Sequence, residues 1–238
     1  MQIFLYFCSK FRNKMTLEDY ICAHSTPENE VLQSITRDTN LHVLNPHMLS
    51  GHIQGRLLSM ISHMIRPHRI LELGTFTAYS ALCLAEGLPE DGQLITIEHN
   101  DELEDTIRRN LAKSPLSSKI HLLIGDAKEI LANLNNPQSS IFNLQSSIFN
   151  LQFELVFIDA DKREYCTYLD LVYPFVPVGG FILADNTLWD GHIIDPAYDK
   201  DKQTLGLRAF NDRLAADDRF EKLILPLRDG LTLIRKVK

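Results

Sequence analysis

The chain has 238 residues, of which 45% are apolar and 23% are charged, as expected for one globular domain with a full-sized core. It carries 24 Lys and Arg against 31 Asp and Glu, a formal charge of -7 that argues against a nucleic-acid partner. The 4 cysteines form no CxxC pair and have no zinc-ligand spacing, so we expect reduced thiols and a cytoplasmic location.

The N-terminal segment MQIFLYFCSKFRNK has an apolar stretch too short to cross a bilayer, and its basic residues follow that stretch. We therefore predict neither a signal peptide nor a membrane partner. A more ordinary beginning, MTLEDY, starts at Met15. We expect residues 1–14 to be a disordered extension and residues 15–238 to form a single domain.

The rest of the chain alternates helical and strand patterns. Helical spacing of apolar residues covers 57–65, and a second helix is predicted over 78–86. Strands are predicted at 69–73, 93–99, 119–125, 153–159, 179–185, 220–227 and 230–236. A short turn at 228–230 suits a hairpin between the last two. The pattern predicts an α/β fold with a doubly wound, mostly parallel seven-stranded sheet and a C-terminal antiparallel hairpin.

The heptad QSSIFNL occurs twice in succession, at 138–144 and 145–151. Two copies are too few for a solenoid, so we interpret them as a local duplication that lengthens one connection. Because this insertion precedes the strand at 153–159, it is predicted to lie at the amino-terminal edge of the sheet, away from ligands.

Two features at the predicted carboxyl edge favour a nucleotide-like cofactor. Gly74 opens a tight turn into a helix whose free N–H groups favour a negative or polar group. Glu98 ends the next strand, where an acidic residue can accept hydrogen bonds from a ribose diol. The later glycines of a dinucleotide fingerprint are absent, so the two features together indicate an adenosine-bearing cofactor other than a dinucleotide.

Charge is concentrated where two other strands end. The stretch FELVFIDADK presents Asp159, Asp161 and Lys162 directly after a buried strand, and GGFILADN presents Asp185 and Asn186. A strand exit, a solvated helix start at Lys162 and a turn at 185–186 are the simpler interpretations. Both clusters nevertheless fall at the carboxyl edge of a parallel sheet, where ligands bind.

Four stretches, LELGTFTAYSALCLAEGLPEDG, FIDADKREYCTYLD, GGFILADNTLWDG and FNDRLAADDRFEKLILPLRDGLTLIRK, resemble the cation-dependent O-methyltransferases of the caffeoyl-CoA and catechol type, which use S-adenosylmethionine (SAM). The similarity runs from about Met48 to the C-terminus, apart from the duplicated heptad. FIDADK and ADNTLWDG, in that order, are its most specific parts. The resemblance implies the Rossmann-like class I methyltransferase fold and a homodimer.

The resemblance also implies roles for individual residues. Lys162 matches the general base, and Asp159, Asp185 and Asn186 match the metal ligands. Trp189 and Asp190 are candidate substrate contacts, although Trp189 by itself also fits simple packing. Matching cofactor contacts are Ser50, Glu72, Gly74, Ser80, Glu98, Ala127 and Asp161. Two departures are Ala78, where the family usually has glycine, and Asp190, where plant members often have asparagine.

These residue types suit methyl transfer to a phenol. Two carboxylates and an amide oxygen are the ligands of a hard divalent cation, Mg2+ above all, with Mn2+ and Ca2+ as alternatives. Coordination lowers the pKa of a phenolic oxygen from about 10. Lys162 can accept a second proton from a vicinal diol if the nearby cation depresses the pKa of the lysine. The resulting oxygen attacks the methyl group of SAM, and alignment of the two reactants supplies much of the acceleration.

Substrate identity is less constrained. Residues 15–36, a region that helps cover the acceptor in the family, contain no Lys or Arg for the phosphates of coenzyme A. We therefore favour a small catechol or hydroxycinnamate-like phenol over a CoA thioester. His24, His42, His47 and His52 either replace some of that charge or lie on the surface. An NAD-dependent dehydrogenase and a non-catalytic SAM-binding protein are the alternatives.

Overall fold

The computed structural model describes residues 15–134 and 151–238. The predicted extension 1–14 lies outside the described residues, as does the duplicated heptad except for its last residue, Leu151. The predictions made for those two segments therefore stay predictions. In the described part of the chain, no helix is both long enough and apolar enough to cross a membrane.

Helices and strands alternate as the sequence indicates. The helices are α1 (Leu17–Ala23), α2 (Glu30–His42), α3 (Gly51–Ile65), α4 (Tyr79–Ala85), α5 (Glu104–Leu111), α6 (Ala127–Asn133), α7 (Tyr165–Val172) and α8 (Lys202–Ala216). The strands are β1 (Arg69–Leu73), β2 (Gln93–Glu98), β3 (Ile120–Ile124), β4 (Leu155–Ile158), β5 (Phe181–Asp185), β6 (Phe220–Leu225) and β7 (Leu231–Lys236).

The strands form one seven-stranded sheet in the order β3-β2-β1-β4-β5-β7-β6. Strands β1 to β5 pair in parallel, and β7 runs antiparallel to both β5 and β6. The predicted fold class is confirmed. The strand order reverses between β1 and β4, which is the point where open α/β sheets bind ligands.

The sheet is covered on both faces. Ile70, Leu94 and Phe157 belong to the core under α2 to α5, whereas Leu71 and Val156 belong to the core under α6 to α8. All five residues are fully buried. This explains the nearly continuous apolar runs in the parallel strands, since each successive side chain enters one core or the other.

Several strands are one to three residues shorter than predicted. The predicted strand 153–159 pairs only over Leu155–Ile158, so Asp159 follows the strand instead of belonging to it. The Asp159 N–H still donates to the Leu73 carbonyl at 2.8 Å. The register sets Ile158 beside both Leu73 and Ala184, which brings the polar residues after these strands to one edge.

Helix α8 packs directly on the turn that follows β4. A Cβ added at Gly206 would lie 2.6 Å from the Lys162 carbonyl oxygen and 2.7 Å from the Arg163 Cα. Both atoms are backbone, so neither can move aside at low cost. The absence of a side chain at Gly206 therefore sets how closely α8 approaches the residues around Lys162.

We predict that Gly206→Ala destabilises the protein by about 1–3 kcal/mol because it overpacks this contact. Helix propensity alone predicts the opposite sign, since Ala exceeds Gly by about 1 kcal/mol in a helix interior. Chemical denaturation measures the change. Asp212→Ala, at an exposed position of the same helix, is the matched control and should leave stability equal or slightly higher. A Gly206→Ala variant as stable as wild type would contradict the contact.

Candidate active site

A cleft of about 1280 Å³ opens at the carboxyl edge of the sheet. Its lining contains every predicted site residue except Glu72, namely Ser50, Gly74, Ser80, Glu98, Ala127, Asp159, Asp161, Lys162, Asp185, Asn186, Trp189 and Asp190. The residues that the sequence analysis assigned to cofactor, cation, base and acceptor therefore meet in one place. Glu72 is fully buried in the adjacent strand β1.

Gly74 permits the tight turn that begins this cleft. Its φ of 95° is in the left-handed region, and a Cβ there would lie 2.0 Å from the Asp159 carbonyl oxygen. No side chain fits at that distance. Ala78, where the resembling family usually has glycine, also adopts a positive φ of 69°. The turn thus keeps a glycine-like backbone at Ala78 although the residue carries a Cβ.

Glu98 organises the same turn from the neighbouring strand. Its Oε2 accepts hydrogen bonds from the N–H groups of Thr75 at 3.1 Å and Phe76 at 2.8 Å, and its Oε1 accepts one from Asn100 N–H at 2.8 Å. Two N–H groups of the turn before α4, those of Thr75 and Phe76, are therefore already bonded within the protein. Glu98 occupies them because its carboxylate ends β2 directly beside the turn.

Glu72 is a buried carboxyl group with one side left unpartnered. Thr96 Oγ1 donates to its Oε2 at 2.6 Å, and Thr75 Oγ1 lies 2.5 Å from Thr96 Oγ1. Among the described residues, Glu72 Oε1 is buried without a hydrogen-bond partner. Burial raises the pKa of Glu72 to about 8, and the hydrogen bond from Thr96 opposes that rise. Its Oε1 is therefore a buried polar atom that a bound ligand could satisfy.

Asp159 directly follows β4 and Asp185 is the last residue of the adjacent parallel strand β5, each one residue beyond the paired Ile158 and Ala184. Burial, and then the charge of Asp159, raise the pKa of Asp185 to about 7. Lys162 Nζ lies 2.7 Å from Asp159 Oδ1, and this ion pair is largely shielded, with side chains 12% and 20% exposed. Two acidic groups and one cation therefore share a confined volume.

Gln54 completes this cluster and was missed by the sequence analysis. Its Nε2 donates to Asp185 Oδ2 at 2.6 Å, and the residue is 1% exposed on α3. A signal was present, since Gln54 stands at helical spacing with Leu58 and Ile61 on the buried face of α3. A polar residue at such a position needs a buried partner.

The loop after β5 has an unusual backbone. Asn186, Trp189 and Asp190 all have positive φ, between 46° and 58°. The loop is held by the hairpin turn 228–230, because Leu188 N–H and Trp189 N–H both donate to the Asp229 carbonyl, at 2.7 and 3.0 Å. Left-handed non-glycine residues cost energy and occur where the surroundings hold them, often at functional sites.

Three further predicted cofactor contacts, Asp161, Ala127 and Ser50, lie in different local structures. Asp161 accepts hydrogen bonds from the Arg163 guanidinium and N–H, an ion pair that lowers the pKa of Asp161. Ala127 is the first residue of α6, whose N-cap is Asp126. Ser50 is 6% exposed and stands immediately before α3. All three border the cleft.

The residues 15–134 and 151–238 contain no group of three or more His, Cys, Asp or Glu arranged to hold a metal ion. The predicted ligand set has only two carboxylates, Asp159 and Asp185, and its third member is an amide. The Asn186 Nδ2 lies 3.5 Å from Asp229 Oδ2. The donor chemistry therefore fits an oxygen-preferring cation and does not fit a zinc-type site.

Comparison with known proteins identifies the relatives of the chain. The sequence model of the O-methyltransferase family matches residues 22–237. The chain belongs to this O-methyltransferase family. The resemblance noted in the sequence is thus confirmed, and so is the prediction of an O-methyltransferase.

Relatives of this O-methyltransferase cover most of its length. Caffeoyl-CoA O-methyltransferase 2 of Populus trichocarpa is 32% identical over 216 residues, which are 89% of this chain and 83% of the relative. Among solved structures, the O-methyltransferase TomG of Streptomyces achromogenes, involved in tomaymycin synthesis and in complex with SAM, has a TM-score of 0.80 and 27% identity and covers 92% of this chain and 95% of its own.

An O-methyltransferase from Bacillus cereus, solved in complex with SAH, has the same TM-score of 0.80 with 25% identity. That match covers 91% of this chain and 95% of the Bacillus chain. The structural neighbours therefore share the class I methyltransferase architecture over nearly the whole chain.

We predict that Glu72 makes the stability of the ligand-free O-methyltransferase fall as pH rises from about 4.5 to about 8. The folded-state pKa is raised to about 8, whereas an unfolded Glu titrates near 4.3. Between these values the unfolded state ionises first, so ionisation favours unfolding, by at most about 1.4 kcal/mol per pH unit.

Glu72→Gln removes this titration. Urea denaturation of both proteins at several pH values checks the prediction. Wild type should lose stability relative to the variant as pH rises through this window. A difference in unfolding free energy that stays constant from pH 5 to 8 would contradict a neutral, buried Glu72.

Proposed function

We propose that this O-methyltransferase transfers a methyl group from SAM to a hydroxyl of a small catechol or hydroxycinnamate-like phenol, with help from a divalent cation. The observation that carries the proposal is the position of Asp159 and Asp185 at adjacent strand ends, with Lys162 Nζ 2.7 Å from Asp159 Oδ1. The same cleft holds the Gly74 turn and Glu98. Family membership and the SAM and SAH complexes of the neighbours support it.

SAM is proposed to lie along the β1 and β2 edge of the cleft. The unpartnered Glu72 Oε1 fits a group that brings a hydrogen-bond donor, and Glu98 keeps a carboxylate at the position where a ribose diol is expected. Ser50, Ser80, Ala127 and Asp161 are proposed as further contacts, since they line the cleft. When bound, SAM supplies the activated methyl group.

Asp159, Asp185 and Asn186 are proposed to hold a divalent cation, Mg2+ in preference to Mn2+ or Ca2+. The raised pKa of Asp185, about 7, reflects burial and the charge of Asp159. A positive charge between such carboxylates offsets both effects. When bound, a divalent cation supplies a Lewis acid for the acceptor oxygens. Gln54 orients the Asp185 carboxylate from the side of α3.

Lys162 is proposed as the general base. Its Nζ lies 2.7 Å from Asp159 Oδ1 and 5.6 Å from the Tyr165 ring centre, and the side chain is 12% exposed. These contacts restrict the side chain to the part of the cleft where the acceptor hydroxyl is expected. Only the neutral amine form of this nitrogen can accept the proton. Proton transfer by such a positioned group typically contributes 10²- to 10⁴-fold in rate.

The charges around the cleft favour a small acceptor over a CoA thioester. Every Lys and Arg that lines it is already paired: Lys128 with Glu164, Lys162 with Asp159, Arg163 with Asp161, and Arg228 with backbone carbonyls. Among the described lining residues, histidines such as His42 and His47 are the only other side chains that could offer positive charge to phosphate groups. Although the Populus relative is named for caffeoyl-CoA, we propose that Trp189 packs against a free phenol.

The experiment that tests this function is incubation with SAM, Mg2+ and a panel of catechols, hydroxycinnamates and their CoA esters, read by mass spectrometry. We expect methylated free phenols, and loss of the product when a chelator is added. Methylation that is insensitive to the chelator would refute the proposed cation dependence. Preference for the CoA esters would refute the proposal that the acceptor is a small free phenol. SAM binding without any methylated product would favour the non-catalytic alternative.

Alanine variants separate the cation ligands from the base. Asp159→Ala removes a charged oxygen ligand, so excess Mg2+ should partly restore turnover by mass action. Lys162→Ala should lower turnover by about 10²- to 10⁴-fold at neutral pH, with a smaller loss at higher pH where the acceptor ionises more easily. Steady-state kinetics with varied Mg2+ and pH measure both. Near-full activity of Lys162→Ala at neutral pH would refute the assignment of Lys162 as the general base.

The predicted homodimer stays a prediction, and so does the cytoplasmic location. Neither enters the chemistry proposed above.

A further inference from the structure

The hairpin turn 228–230 connects two segments that border the cleft. On one side it binds the loop after β5, because Asp229 and Gly230 carbonyls accept N–H donors from Thr187, Leu188 and Trp189. On the other side it binds the segment 47–50, which precedes α3. That second connection is made by one side chain, Arg228.

In these contacts Arg228 bonds backbone carbonyl groups instead of a carboxylate. Its Nη1 donates to the Leu49 carbonyl at 2.8 Å and also to the Ser50 carbonyl, and its Nη2 donates to the His47 carbonyl at 3.3 Å. A single guanidinium thus bonds three carbonyls within four consecutive residues. Hydrogen bonds from a charged donor are stronger than those from a neutral donor.

The segment 47–50 lies between two left-handed residues, Asn45 with a φ of 56° and Gly51 with a φ of 76°. It overlaps a short 3-10 turn, Pro46–Met48, and leads directly into α3. The local backbone bonds are those of this single turn, from Met48 N–H to the Asn45 carbonyl and from Leu49 N–H to the Pro46 carbonyl. A tertiary contact therefore contributes to fixing the position of the segment. His47, Leu49 and Ser50 all line the cleft.

Arg228 itself has a φ of 47°, in the region that favours glycine. A glycine at this position would relieve the backbone strain, and it would remove the guanidinium. The turn therefore carries a residue that is unfavourable for its own backbone. Unlike glycine, arginine at this position can donate hydrogen bonds to the carbonyl groups of segment 47–50.

We propose that Arg228 is a positioning residue that fixes segment 47–50 as one wall of the cofactor cleft. This inference rests on the cofactor placement proposed above. By holding the segment in place before the cofactor arrives, Arg228 reduces the ordering cost of binding. Loss of the side chain is expected to weaken SAM binding and raise its KM, with a smaller effect on kcat.

Arg228→Gly is the informative variant, because the turn backbone improves while the side chain disappears. We expect a melting temperature close to wild type and a SAM Kd about 10-fold higher, measured by calorimetry without acceptor. Arg228→Lys, which keeps a charged donor, should recover part of the affinity. Arg235→Ala is the matched control, since it removes an exposed arginine of the same hairpin that pairs with Glu221, and it should bind SAM normally.

Hydrogen exchange locates the effect. In Arg228→Gly, peptides that contain residues 47–51 should exchange faster, and those from β1 and β4 should be unchanged. A SAM Kd within twofold of wild type would overturn the inference, as would a uniform rise in exchange, which indicates a general loss of stability. If wild type itself fails to bind SAM, the cofactor placement fails, whereas the exchange data still decide whether Arg228 holds the segment.

Discussion

The placement of two carboxylates at adjacent ends of parallel strands is the constraint on which the site depends. Strand pairing fixes Asp159 beside Asp185, and both strands are locked between two apolar cores. The groups cannot separate to relieve their repulsion, so burial and mutual charge raise the pKa of Asp185 to about 7. The protein compensates with Lys162 on one carboxylate and Gln54 on the other. An oxygen-preferring cation suits the charge that remains.

The C-terminal hairpin has a structural role in this arrangement. Because β7 runs antiparallel to β5, Leu231 pairs with Asp185, and the turn before β7 returns to the carboxyl edge of the sheet. That turn accepts the N–H groups of the loop after β5 and, through Arg228, holds the segment before α3. The parallel part of the sheet supplies the functional groups. The antiparallel part restrains the loops that carry them.

Close backbone packing fixes the residues around Lys162 from two sides. Gly74 lies against the Asp159 carbonyl, and Gly206 of α8 lies against the Lys162 carbonyl, so neither position has room for a Cβ. The turn after β4 is therefore confined between β1 and α8. A side chain proposed as a base needs such confinement, because small displacements of a catalytic group reduce its rate contribution strongly.

The sequence by itself determined the order of helices and strands, the hairpin, the family and the polar residues at the strand ends. Apolar runs and their polar exits are local signals, so they can be interpreted without coordinates. Only the tertiary structure decided the partners of those residues. Glu98 takes the N–H groups of Thr75 and Phe76, Gln54 reaches Asp185 across 131 residues of chain, and Arg228 bonds carbonyls near residue 49. Such contacts depend on how distant segments pack, and no local pattern encodes their geometry.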